Sequence, residues 1–517
     1  MNWQKFVGLT LVLLGSSAIT QADTLRDIYE LSLKSDPLIR AAEAEYRANL
    51  ETEKLSRAAL LPQINARYEF NDTEQDRDSN SINFDSNTGK FGPIQTSSTT
   101  KTENEGYTVS LSQKIFDLPA WFSFNAGKEI TKQAASQFAY DQQALILRVS
   151  EAYLTVLNNL SNLSTSRAQE KAFQRQLEQT QQRFEVGLIA ITDVHEARAA
   201  YDLSVVTRLT AENNLGIAFE KIEVLTGRPT SNLNKLNRDF PITRPEPAAR
   251  SEWVDFALKN NYQLKAAAFA AEAARQSARS NESRHFPTVS STFSYSDINT
   301  SGDLRRSPPS LFDMPPDNDA ETEAFQIRMD LPLFSGGGIS AKRRQSYEQY
   351  LSSSERHKNL LRNTIMKTRS LHLTVNTDVD RVNARRQGIT SAQSALDATQ
   401  AGYEVGTRNV VDVLNAQQLL YSSRRDYANS RHAYVLNMLH LKGQAGTLSP
   451  KDIYDLDKWL VGAPTPSLKE SSYDIDSVKT ATKNTIPDNL VQKKFLDIDQ
   501  NYYTVQLFAG TTSRAAR

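Results

Sequence analysis

The chain has 517 residues, with 60 Lys and Arg balanced by 60 Asp and Glu, six His and no Cys. That balance lacks the basic excess of a nucleic-acid binder, and the missing cysteine excludes disulfides, zinc fingers, thiol nucleophiles and a lipid-modified N-terminal cysteine. A mean hydropathy of −0.52, with no apolar run of ~20 residues past the N-terminus, excludes a helical membrane protein; 39% hydrophobic residues fit long solvated helices better than a thick core.

Residues 1–22 read as a secretory signal peptide. Lys5 precedes the apolar run Phe6–Leu14, and the small residues Ser16, Ser17, Ala18 and Ala22 place cleavage after Ala22 or Ala18. A cysteine-free exported chain fits a bacterial envelope better than a small disulfide scaffold. After a first helical stretch, Ile64, Ala66, Tyr68 and Phe70 alternate with polar residues, as do Tyr107, Val109 and Leu111. This period of two predicts strands with one face to lipid and one to a lumen, separated by a long polar loop, Asp72–Glu105. From about Ala120 to Phe184 nothing strongly breaks a helix, and ~65 residues at 1.5 Å each span roughly 100 Å. Within it Ile146, Val149, Tyr153, Val156, Leu160 and Leu163 step by three and four, a heptad seam. A further helix runs from Ile191 toward Leu225.

The chain then repeats itself. Leu33-Lys34-Ser35-Asp36 returns as Leu258-Lys259-Asn260-Asn261, Leu61-Pro62 as Phe286-Pro287, and Ile115-Phe116 as Leu333-Phe334. Farther on, Phe184-Glu185-Val186-Gly187 returns as Tyr403-Glu404-Val405-Gly406, and Asp193-Val194 as Asp412-Val413. A period of roughly 220 residues exceeds that of solenoid repeats and marks a duplicated half. The expected organisation is a first repeat at 23–228, a linker at 229–250, a second repeat at 251–449 and a polar tail, largely extended or disordered, at 450–517. In the second half Phe325, Ile327, Met329 and Leu331 alternate cleanly after a second polar loop, Asn299–Glu323. The equivalent seam is wetter: Ile365, Thr368, His372, Val375, Val379 and Val382. Helices this long with thin seams need partner chains. Four strands cannot close a barrel, and open edges cannot sit in lipid. Two copies give eight strands, too narrow for a passage, so three copies and twelve strands are favoured.

Ala59-Leu60-Leu61-Pro62-Gln63, Gln181-Gln182-Arg183-Phe184-Glu185-Val186-Gly187, Ala190-Ile191-Thr192-Asp193-Val194, Ala401-Gly402-Tyr403-Glu404-Val405-Gly406-Thr407-Arg408 and Val411-Asp412-Val413-Leu414 resemble the TolC-like channels over about residues 24–455. The resemblance implies an α+β fold: a homotrimeric twelve-stranded outer-membrane β-barrel, four strands per chain, continued by an α-helical coiled-coil periplasmic tunnel. It implies an exit duct for drugs, small toxic molecules or proteins. Its partners would be outer-membrane lipid, a periplasmic adaptor (membrane fusion) protein and an inner-membrane pump of the RND, ABC or MFS type, in efflux or type I secretion. By the same resemblance Asp193, Arg408 and Tyr403, with Gln182 nearby, form the periplasmic gate, and Asp412 forms a lumen ring that attracts cations. Where the family often has a second aspartate this chain has Asn415, with Glu196 at the matching place in the first half. Gln400 stands in place of a glutamate facing Arg424. Gly187 and Gly406 interrupt helices at equivalent places, since glycine supplies the φ that reverses a chain; the resemblance puts the adaptor contact there, at Leu188 and Thr407.

No catalytic signature competes. The six histidines form no HExxH or other tight ligand spacing, no GxSxG occurs, and Gly336-Gly337-Gly338 lacks the Lys-Ser/Thr of a P-loop and reads as a strand-to-helix bend. The expectation is no enzyme, no metal and no cofactor. The alternative reading is a trimeric coiled-coil surface adhesin or stalk anchored by a barrel, although that class carries one C-terminal barrel segment and the strands here are internal and occur twice.

Overall fold

Two capped helices begin the folded chain. Thr24 and Asp27 form a reciprocal capping box at α1 (Leu25–Ser35), and Asp36 caps α2 (Pro37–Ala58), with Pro37 in the first turn, where its missing N–H costs nothing. In the computed structural model, which describes residues 23–85, 89–309 and 313–462, there follow β1 (Gln63–Asp85), β2 (Lys90–Phe116), α3 (Leu118–Glu185), α4 (Ile191–Thr226) and β3 (Lys235–Leu236). The same order then recurs as α5 (Arg250–Asn260), α6 (Tyr262–Glu282), β4 (Thr288–Ser307), β5 (Asn318–Asp330), α7 (Gly338–Glu404) and α8 (Val410–Gln444). A short helix α9 (Pro450–Asp457) and strand β6 (Leu460–Val461) close the described chain. The signal-peptide segment 1–22 and the tail beyond 462 lie outside the described residues.

The main sheet is antiparallel throughout, in the order β1-β2-β4-β5. Its register sorts the side chains by face. Ile64, Leu111, Phe293 and Phe325 stand in one row across all four strands; the next row, on the opposite face, is Asn65, Ser110, Ser294 and Ala324, and beyond it on that polar face come Arg67, Thr108, Ser296 and Thr322. One face is therefore apolar and exposed, and the other is lined by small hydroxyls.

The polar stretches Asp72–Glu105 and Asn299–Glu323 are not the long loops the pattern predicts. β1 and β2 run on through most of the first, and β4 and β5 through much of the second. Ladder bonds need no apolar side chain, and cross-strand polar pairs reinforce them. Thr99 Oγ1 donates to Asp76 Oδ1 at 2.6 Å, Ser79 and Thr96 hydroxyls lie 2.9 Å apart, and Lys101 pairs with Glu74 at 3.2 Å.

The helical core lies mid-length along α3 and α7 and toward the C-terminal ends of α4 and α8. Leu145, Ile146, Val149, Tyr153, Val156, Leu157, Leu160 and Leu163 of α3 are buried, together with Leu215, Phe219 and Ile222 of α4 and Tyr434, Val435 and Leu439 of α8. In α7 Thr368, His372, Val375, Val379 and Val382 are buried, and Ile365 is half-buried. Around this level the chain is strapped. Residues 450–461, expected to be part of an unstructured tail, instead form α9 and β6: Ser449 and Asp452 make a capping box, Ile453 and Leu456 bury in the core, and β6 pairs with β3. The linker likewise contributes β3 and the buried Leu233 and Leu236. Two apolar side chains one turn apart on a capped helix suffice to dock it, whatever the polarity of its neighbours.

Candidate functional site

Both long helices end in the same device, at the end of the bundle farthest from the sheet. After α3, Gly187 takes φ +74°, its N–H bonding Phe184 O at 2.8 Å and the Leu188 N–H bonding Arg183 O at 2.9 Å. After α7, Gly406 takes φ +80°, its N–H bonding Tyr403 O at 3.2 Å and the Thr407 N–H bonding Gly402 O at 2.9 Å. These are Schellman caps, and the left-handed φ is why glycine stands at both. Val186, Leu188 and Val405 are left exposed beside them.

The returning helices start differently. At α8, Asn409 Oδ1 accepts the Asp412 N–H at 2.9 Å, and Asp412 Oδ2 accepts the Asn409 N–H at 3.3 Å. At α4 the N-cap is Ala190, which has no side chain to cap with. Asp193 occupies the same third helical position as Asp412, yet among the described residues it has no ion-pair partner within the chain.

This geometry rearranges the expected gate within one chain. Arg408 does not meet Asp193; its Nη1 lies 3.8 Å from Asp412 Oδ2, so within one chain the Asp412 carboxylate is held by the Asn409 N–H and by a cation. The reason is local: residues four apart on a helix start are neighbours, whereas Asp193 belongs to the other hairpin. Arg424 likewise bonds Gln393 Oε1 at 3.0 Å instead of Gln400. Gln182 is exposed. Tyr403 is buried with Phe173, Leu396, Val410 and Val413, and its hydroxyl has no hydrogen-bond partner.

Near the tips Arg183, which sequence reasoning missed, joins the two hairpins, as Gln169 of α3 does farther along by donating to Gln418 of α8. The Arg183 guanidinium stands 4.6 Å above the Tyr403 ring, and its Nη1 donates to Tyr403 O at 3.5 Å, joining the end of α3 to the end of α7 by a cation–π contact. The one available signal was Arg183 standing four residues before a tip glycine. Among the described residues no three His, Asp or Glu side chains gather into a metal-binding group.

A sheet with one apolar and one hydroxyl-lined face, continued by helices of 68 and 67 residues that turn back at matching glycines, defines a subunit of an outer-membrane channel. The model of the outer membrane efflux protein family matches residues 28–228 and 253–447, and the chain belongs to that family. It is 33% identical over 458 residues to the outer membrane protein TolC of Escherichia coli (strain K12), covering 88% of each. It is 28% identical over 471 residues to the proteases secretion protein PrtF of Dickeya chrysanthemi, covering 89% of this chain and 96% of that one. The solved outer membrane channel CmeC of Campylobacter jejuni shares the fold, with a TM-score of 0.64 at 15% identity over 85% of this chain and 90% of that one. The chain is thus an outer-membrane exit duct for efflux or type I secretion, with its helices in the periplasm; these relatives give the adhesin reading no support.

Proposed function

We propose that three copies assemble side by side, their sheets closing one twelve-stranded barrel and their helices one tunnel, and that the duct conducts cargo passively between an inner-membrane pump of the RND, ABC or MFS type and the outside. The observation that carries this reading is the main sheet, with an apolar outer face and two open edges, β1 and β5. Unpaired strand edges in lipid cost several kcal/mol per group, and symmetric closure removes them. A stripe of exposed apolar residues on α4 (Leu203, Val206, Leu209, Ile217 and Val224) supplies a surface for the neighbouring copy.

The gate reading follows from the unequal tips. Asp193, released from capping by Ala190, pairs with Arg408 of the next copy when the tunnel is shut. Arg408 then leaves Asp412, and three Asp412 carboxylates become a ring that attracts cations. Such exposed ion pairs are worth about 0–1 kcal/mol each, a restraint that docking of a periplasmic adaptor at Gly187, Leu188, Gly406 and Thr407 can overcome. The test joins light scattering to planar-bilayer conductance. The purified protein should have about three times the monomer mass, and Arg408→Ser with Tyr403→Phe should conduct more than wild type. A monodisperse monomer with native helical circular dichroism overturns the assembly; unchanged conductance overturns the latch.

A further inference from the structure

We infer that the junction between β5 and α7 is a binding site for the phosphate headgroup of an anionic phospholipid in the periplasmic leaflet of the outer membrane. The inference rests on the sheet lying in that membrane. The apolar face of β5 does not stop at the strand's end. Phe325, Ile327 and Met329 alternate onto it and are exposed, and the same parity continues through Leu331 to Leu333. Leu333 and Phe334 are each 89% exposed, more than a folded chain leaves large apolar side chains without something to cover them. The lipid-facing band continues directly into them, so acyl chains are the cover.

Immediately beyond come three consecutive basic residues. Lys342, Arg343 and Arg344 stand in the opening turns of α7, which has no acidic residue in its first turn and no side-chain cap on Gly337. Arg343 and Arg344 fall in the second turn, past the reach of the helix macrodipole, so helix-end electrostatics does not explain them. Arg343 and Arg344 are exposed and, among the described residues, neither has an ion-pair partner. They line a crevice of about 280 Å³ with Ala278, Glu282, Tyr347 and Glu348, and neither glutamate forms an ion pair with them. Phe334 and Arg343 stand nine residues apart across the strand-to-helix bend, so acyl chains against one and a headgroup against the other belong to one lipid molecule, and arginine's fork suits a phosphate. The first junction instead exposes Ile115 and the aromatics Phe116 and Trp121, and such aromatics anchor an interface without selecting a headgroup.

The experiment is native mass spectrometry of the purified full chain with dioleoylphosphatidylglycerol, dioleoylphosphatidylcholine or inorganic phosphate, run beside planar-bilayer conductance. Wild type should retain phosphatidylglycerol about tenfold better than phosphatidylcholine. The double variant Arg343→Gln, Arg344→Gln should retain both alike, with conductance unchanged. Leu333→Ser with Phe334→Ser should weaken retention of both lipids. Equal phosphatidylglycerol retention by wild type and the arginine variant overturns the site, as does displacement of the lipid by an equal concentration of inorganic phosphate, which would make it a soluble-anion site. Failure of wild type to conduct sinks the duct reading instead, so the two failures are distinguishable.

Discussion

The two helical hairpins share a length and a tip device but differ at the seam positions of mid-length and at the start of the returning helix. In the first, α3 packs a dry seam in which Ile146, Val149, Tyr153 and Val156 are almost wholly buried, and its returning helix starts uncapped at Ala190. In the second, α7 buries Thr368 and His372 in the seam and Asp378 beside it, and its returning helix starts in a full capping box. Two of these buried polar groups, Thr368 and Asp378, are hydrogen-bonded, whereas His372 Nε2 finds no partner among the described residues. Thr368 Oγ1 donates to Thr364 O at 2.8 Å, and Asp378 accepts from Arg381 at 2.5 Å and from Asn437 of α8 at 2.7 Å. A dry seam gains stability from area and holds its partner broadly, whereas a satisfied polar seam gains little net energy and is selective about geometry. At mid-length the first hairpin therefore gains more from apolar burial, while the second carries hydrogen-bonded groups such as Thr368 and Asp378.

The largest expected effect tests the dry seam. Tyr153 is fully buried, and its hydroxyl donates to Asn234 O at 2.8 Å in the linker. Tyr153→Ala should cost about 3–5 kcal/mol of stability, by cavity and lost hydrogen bond together. Val375→Ala, fully buried in the second seam, removes a smaller volume and should cost about 1–2 kcal/mol. Urea unfolding followed by circular dichroism decides between them; equal losses would mean the seams are energetically alike.

Acid should act on the second hairpin. His432 of α8 is buried, and burial, with a smaller contribution from the Arg431 charge, lowers its pKa from 6.5 to about 4. The unfolded chain therefore takes up a proton where the folded one does not. The associated stability is fully present above about pH 6.5 and is lost as the pH falls toward 4, at most about 3 kcal/mol. Thermal unfolding between pH 7.5 and 4.5 should show this slope in wild type and a flatter one in His432→Leu. The same slope in both would assign the acid sensitivity to other groups.

The helices were legible because their signal is periodic and local. The lack of helix breakers, with a seam inside it, places a helix at about 120–184 and a further one at 191–225, and the structure has them at Leu118–Glu185 and Ile191–Thr226. The polar halves of β1 and β2 were not, because Asp, Asn, Ser and Thr carry no alternation and hold their conformation only through neighbouring strands. In α9 the capping signature Ser449–Asp452 was present in the sequence, but eight residues show too little periodicity to outweigh a polar setting. At the tips the glycines were readable from their φ requirement. The partners were not: which carboxylate Arg408 meets depends on whether residue 190 or 409 can cap, and the stacking of Arg183 on Tyr403 joins residues 220 apart.

The smallest expected effect is the sharpest probe of the comparison. Ala190, Ile191, Thr192 and Asp193 align with Asn409, Val410, Val411 and Asp412, so one side chain separates an open helix start from a capping box. Ala190→Asn adds a side-chain acceptor for the Asp193 N–H, which bonds the Ala190 carbonyl at 3.1 Å, and brings the Asp193 carboxylate back onto the residue-190 N–H. That should stabilise the first tip by about 0.5–1 kcal/mol. It should also remove Asp193 from its role across the subunit boundary, so conductance should rise although local stability has increased. Asn409→Ala should do the reverse at the second tip, costing about 1 kcal/mol and freeing Asp412, with cation selectivity raised. A stabilising change that opens the duct cannot come from loosening the tip, so this pair separates a latch through Asp193 from simple fraying. If Ala190→Asn stabilises the tip and leaves conductance untouched, Asp193 is a solvated helix-start charge and the closed state is held by Arg183 and Tyr403.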